Sequence, residues 1–204
     1  MINFETFISN KMPKTEVFNK ELVLNQASDV FHTKGYNATS MQDLVDATGL
    51  NRSSIYNSFE NKLNLYLECL KVYQNKYQKA TSSLLLKANC PLKAIDAIFK
   101  MYLYEIVRDE ENKGCLIINC KSEMANQDST INHFLMTNQS NTITLLEDLV
   151  EKGQENKTIN KKQTAIHYGL YLFSAIQGFR MTGILINEKE QLQSIINTTL
   201  QNLK

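Results

Sequence analysis

T-S-M-Q-D-L-V-D-A-T-G-L-N-R-S-S-I-Y-N-S-F-E-N-K, residues 39 to 62, reads as two short helices joined by a tight turn, with a third helix starting at its end. Thr39 and Gln42 have the spacing of a capping box, in which the hydroxyl accepts a backbone amide and the side-chain amide reaches back to the cap. That predicts a helix from Ser40, and Met41, Leu44 and Val45 recur at the spacing of one apolar stripe. Gly49 supplies the positive φ that a sharp reversal needs, which puts the turn at Thr48 to Leu50. Asn51 is a good cap for the next helix. On that helix Ile55 faces inward, while Arg52, Ser53, Ser54, Tyr56 and Asn57 present polar or hydrogen-bonding groups outward. An outward face of that kind suits a DNA groove.

On the N-terminal side, Val23, Ala27, Val30 and Phe31 mark an amphipathic helix closed by Lys34-Gly35, and Tyr36 begins the link to Thr39. Residues 1–15 have weak periodicity and read as an N-terminal extension, with Met12 resembling a second natural start. On the C-terminal side, Asn61 caps a long helix expected over 61–83, striped by Leu63, Tyr66, Leu67, Leu70, Tyr73 and Tyr77. Asn89-Cys90-Pro91 ends that pattern, and Pro91 at a first helical position starts another. A charged turn over 108–114, a short helix over 115–125, and a long one from Asp128 or Ser129 to Gly153 follow. The stretch 161–186 is apolar on most sides, and a final helix over 188–203 is striped by Leu192, Ile195, Ile196 and Thr199. A last pair that apolar predicts a homodimer formed through it.

Composition narrows the function further. With 204 residues, 43% of them apolar, the chain has room for two small units with cores of their own. Two prolines, seven glycines and few alternating β-branched runs leave almost no room for a sheet, so the fold class is all-α. Lys plus Arg number 22 against 21 acids, so any DNA affinity must come from local placement of charge. No apolar run is long enough to span a membrane, and no secretory signal is legible. Four cysteines without close pairing favour free thiols and a cytoplasmic location. An enzyme is the rival from another class. No histidine has a glutamate three residues before it, and no phosphate loop, nucleotide-binding glycine motif or nucleophile elbow is present, so neither metal nor cofactor is expected.

From Val23 to about Leu67 the chain closely resembles the TetR/AcrR family of bacterial one-component transcription regulators. The resemblance is carried by A-x-x-x-F-x-x-K-G-Y-x-x-T-S from Ala27 to Ser40 and by D-L-V-D-A-T-G-L-N-R-S-S-I-Y-N-S-F-x-N-K from Asp43 to Lys62. It covers about a quarter of the chain, in one register without gaps. It implies about nine helices: an N-terminal helix-turn-helix domain over 16–62 and a ligand-binding and dimerisation domain over 63–204. It also implies double-stranded operator DNA and a small-molecule effector as partners. Ser53 stands where the family often has glycine or alanine, and Ser58 where it often has histidine or an aromatic.

In a dimer, two recognition helices enter successive major grooves, so the expected site is a palindrome. Thr39 or Ser40, Ser54, Tyr56 and Lys62 are the expected phosphate contacts, Lys62 because a cation at a helix N-terminus favours phosphate. Arg52 is the expected reader of guanine, with Asn51, Ser53 and Asn57 adding adenine or water-mediated contacts. In the second domain Phe99, Tyr102, His133, Phe134, Met136, Tyr168, Tyr171, Phe173 and Gln177 are the expected walls of an apolar effector cavity. The segment K-G-C-L-I-I-N-C places Cys115 at a helix start beside Lys113, a setting that lowers a thiol pKa and makes a redox or electrophile sensor the alternative to a ligand-released repressor. An architectural DNA-binding protein of the same fold is a further alternative.

Overall fold

The computed structural model describes residues 18–204, and over these the chain is helical with no strand. The expected extension over 1–15 lies outside the described residues. In chain order the described helices are α1 (Lys20–Ala38), α2 (Met41–Thr48), α3 (Arg52–Phe59), α4 (Lys62–Lys87), α5 (Pro91–Val107), α6 (Leu116–Met124), α7 (Ser129–Glu155), α8 (Ala165–Thr182) and α9 (Lys189–Gln201). None of them is long and apolar enough to cross a membrane. Cys69, Cys90, Cys115 and Cys120 are all free thiols.

Caps decide where the elements begin. Asn51, Asn61, Asp128 and Thr164 each accept a backbone N–H of the first turn of α3, α4, α7 and α8, giving orphan donors a partner. One start differs from the sequence reading. Ser40, not Thr39, is the cap of α2: its hydroxyl accepts from Asp43 N at 3.1 Å while the Asp43 carboxylate accepts from Ser40 N at 2.8 Å. An aspartate can close the reciprocal pair as a glutamine does, and Gln42 instead donates along its own helix to Asp46 at 2.8 Å. Gly35, at φ 77°, breaks the helical path inside α1, as the Lys34-Gly35 signal predicts.

Two further bounds move. α4 continues four residues past the expected 83, to Lys87. α8 is shorter than 161–186, because Asn160 holds the preceding segment down: its side chain donates to Asn202 O and Lys204 O and accepts from Lys162 N.

The buried side chains form two clusters. One joins α1, α2, α3 and the first half of α4 to α6 and the start of α7, around Phe31, Leu44, Ile55, Tyr66, Leu116 and Ile131. The other joins α5, α7, α8 and α9 around Ile95, Phe99, Leu146, Leu172, Phe179 and Ile196. α6 therefore packs with the N-terminal helices, even though the sequence places it fifty residues beyond them. α7 and α8 lie against one another closely enough that a Cβ on Gly169 would meet the Glu147 backbone at 3.3 Å.

Candidate nucleic-acid interface and internal cavity

α3 is held on its inner side by Ile55 and Phe59, 0% and 4% exposed. Burying two such side chains contributes about 1.5–3 kcal/mol each, which fixes a helix of eight residues that could not persist alone. Arg52, Ser53, Tyr56 and Asn57 are exposed on the opposite side, and Ser54 is half-buried beside them. The turn leading into α3 passes through Gly49 at φ 69°, with open space where its Cβ would be, so backbone conformation alone selects glycine there. The result is a rigid stem with one polar, hydrogen-bonding face turned to solvent.

The residues around this face divide into those that are free and those already engaged. Thr39 is buried, and its hydroxyl donates to Gly35 O at 2.6 Å. That contact takes it out of the set of expected phosphate ligands. The Ser40 hydroxyl donates to Asp43 Oδ2 at 2.8 Å while it accepts from Asp43 N. Asp43 also pairs with Lys34 at 2.6 Å. The Lys34 ammonium, then the Ser40 backbone and hydroxyl, hold the half-buried Asp43 carboxyl down at about 2.

Lys62 differs most from expectation. Its Nζ donates to Tyr36 O at 2.9 Å and to Thr39 O at 2.8 Å, and it lies 4.2 Å from the Tyr36 ring centroid. Burial lowers its pKa, with Glu123 opposing. Two of its three donors therefore bind the link between α1 and α2, and its main work is to hold that link closed. The same link is gripped from the other side: the Glu123 carboxylate, at the end of α6, accepts from Tyr36 N at 2.8 Å and Asn37 N at 2.7 Å. No sequence pattern pointed to Glu123, since its partners are backbone amides some 86 residues away.

A cavity of about 330 Å³ lies between α4, α5, α6, α7 and α8. Tyr73, Tyr77, Tyr102 and Arg180 separate it from a more open, charged cleft of about 830 Å³ between α1, α4 and α5.

Residues 23–69 match the family model described as bacterial regulatory proteins, tetR family. The chain is 26% identical over 192 residues to the transcriptional repressor ComR of Escherichia coli, covering 92% of this chain and 90% of ComR. It is 22% identical to the repressor DhaR of a Mycobacterium species, covering 94% of each. Among solved structures, a cysteine mutant of the TetR-family regulator CifR in complex with 26 base pairs of operator DNA superposes with a TM-score of 0.82 at 18% identity, covering 92% of this chain and 98% of that one. The reduced form of Escherichia coli NemR superposes at 0.81 and 16% identity, covering 90% and 96%. Residues 23–69 therefore carry the N-terminal region of the TetR family, and the chain as a whole has the fold of TetR-family regulators.

Within this TetR-like fold, Tyr102, Phe173 and Gln177 line the cavity as expected from sequence. The other six expected wall residues do not. Phe99 is core, set edge-on against Phe179 at 5.8 Å. Phe134 packs into the N-terminal cluster. His133 is exposed, and Met136 is 65% exposed on the outer side of α7. The Tyr168 hydroxyl donates to Asn160 Oδ1 at 2.7 Å, and the Tyr171 hydroxyl accepts from Asn202 at 3.0 Å, so both fasten the C-terminus. An aromatic on an apolar stripe has the same sequence signature in a core as in a cavity wall, which is why periodicity could not separate them.

In the middle of α7, Asn138, Asn141 and Thr142 add polar groups to the cavity lining. Arg180 was missed, although a single arginine within an apolar helix was a visible signal. Cys115 lines the cavity and is buried.

Proposed function

We propose that the chain is a repressor that binds a palindromic operator as a homodimer and releases it when a small molecule enters the cavity beside α6. The observation that carries this reading is the Glu123 tether. α6 begins at the cavity, with Cys115, Ile117 and Ile118 in its lining, and ends on the link that holds α2 and α3. A ligand that favours one position of α6 therefore favours one spacing of the two reading heads, and only such a difference in affinity can shift the equilibrium. α4, which follows α3 and lines the cavity through Tyr73 and Tyr77, acts together with α6.

Support for a dimer comes from α8. Ile166, Leu170 and Met181 are 41%, 45% and 48% exposed, and Ser174 and Gly178 continue the same exposed row. Exposed apolar side chains joined by small residues let a second copy approach closely. α9 turns Gln191, Ser194, Asn197, Thr198 and Gln201 outward, so its outer side is polar and adds a rim to the α8 row.

Selection of bound DNA from a random pool tests the reading, and it should return a two-fold symmetric sequence. Arg52→Ala in the same selection should relax preference at one base step per half-site, worth about 1–3 kcal/mol. An unchanged consensus would remove Arg52 from base reading, and an asymmetric or absent consensus would remove the palindromic operator.

Thiol sensing through Cys115 is favoured as a second reading by one observation. Cys115 is buried and lines the cavity, whose wall also holds Arg180. Burial pushes the Cys69 thiol up to about 12 and the Cys120 thiol up to about 11, which suppresses their reactivity. Treatment with N-ethylmaleimide should lower operator affinity in the wild type and leave Cys115→Ser unaffected; equal responses of the two proteins would end the thiol reading.

A further inference from the structure

The cavity is chemically asymmetric along its length. One end is formed by Arg180 with Tyr73, Tyr77 and Tyr102. Leu85 lies eight residues beyond Tyr77 on α4, and Leu146 eight beyond Asn138 on α7, so the lining extends about 12 Å along these helices at 1.5 Å per residue. Leu85, Leu145, Leu146 and Ile98 supply apolar surface to that far part, with Gln78, Thr81 and Ser82 on α4 and Asn141 and Thr142 on α7 lining the stretch before it.

Arg180 is the one charged side chain in the lining, and no carboxylate shares it among the described residues. A guanidinium has five N–H donors. Among the described residues this one makes a single hydrogen bond, from Nη2 to the Tyr73 hydroxyl at 3.1 Å, and no ion pair. It rests over the rings of Tyr102 at 4.3 Å and Tyr77 at 5.1 Å. Glu105, across the tyrosine wall, accepts from the Tyr77 hydroxyl at 3.1 Å and lies 3.8 Å from Lys76.

Ring faces compensate a partly buried cation only in part, and a planar fork with free donors matches a carboxylate in two-point contact. Beside it, Gln177 is held by Lys121 Nζ at 3.3 Å, which orients a second polar group at the cavity wall. We infer that the cavity takes an elongated organic monocarboxylate, its head paired with Arg180 and its apolar body lying along α4 toward Leu85. This rests on the reading of the cavity as the effector site, and it changes the effector class from a neutral apolar molecule to an acid. A volume near 330 Å³ suits a single slender ligand.

Octanoate and octanamide have the same length and differ in head charge, so they are the probes. Calorimetry and thermal melting of the full-length chain should show octanoate binding at one site per chain, with octanamide at least about tenfold weaker, the loss expected when a charge-assisted contact is removed. Arg180→Leu should abolish that preference. Arg180→Lys, which keeps the charge without the fork, should retain a reduced preference, and serves if Arg180→Leu fails to fold. Equal binding of acid and amide, no binding of either to the wild type, or a preference that survives in Arg180→Leu overturns the inference. Operator affinity is measured alongside by anisotropy. Octanoate binding without operator release sustains the acid site and overturns the effector reading. Release by a neutral ligand in a protein that binds no octanoate does the opposite.

Discussion

Leu170→Asp is expected to abolish operator binding at concentrations that saturate the wild type, with an apparent affinity lower by more than about 100-fold. Leu170 is 45% exposed in the middle of the α8 row, so the substitution removes no core contact and leaves the monomer fold intact. In an isologous interface the same face meets itself, which buries two new carboxylates in one contact. Desolvating unpaired charges costs several kcal/mol, more than a row of this size recovers. A monomer then holds one half-site alone and loses the gain of linked binding. Sedimentation and operator anisotropy on the same sample check the result. A variant that stays dimeric and binds normally removes α8 from the interface.

Lys62→Met should lower stability by about 2 kcal/mol, because two charge-assisted hydrogen bonds to Tyr36 O and Thr39 O are lost, partly discounted for exposure. The methionine stem preserves most of the packing of the aliphatic chain, so the effect isolates the ammonium. Operator affinity should fall with that loss of order while the slope of affinity against salt changes by well under one ion. A phosphate contact predicts the opposite pattern: near-normal stability and a slope lower by about one. Denaturant melts and a salt titration separate the two roles of Lys62.

How much was legible follows from the range over which each signal acts. Gly49, Asn51, Asn61 and Pro91 act within one turn of chain, and each marks the boundary it predicts. The outward set Arg52, Ser53, Tyr56 and Asn57 was likewise readable, because burial of Ile55 and Phe59 at helical spacing leaves only one direction for the others. The internal contacts of Thr39 and Lys62 were not readable because their partners are the carbonyls of Gly35, Tyr36 and Thr39, and a carbonyl has no residue identity to read.

By itself the sequence determined an all-α chain with a helix-turn-helix whose polar face is set by local caps, one glycine turn and a 3.6-residue period. Only the tertiary structure decided that α6 packs with the N-terminal helices, that Glu123 closes the link before α2, and that Arg180 stands in a cavity lining without an acid. The physical reason is the same in each case. Caps and stripes are satisfied by neighbours along the chain, whereas a backbone amide gripped across 87 positions and a cation facing a cavity depend on which distant helices meet. Residues 39–62 set the polar outer face of α3, and the fold supplies the connection from that face through α6 to the cavity.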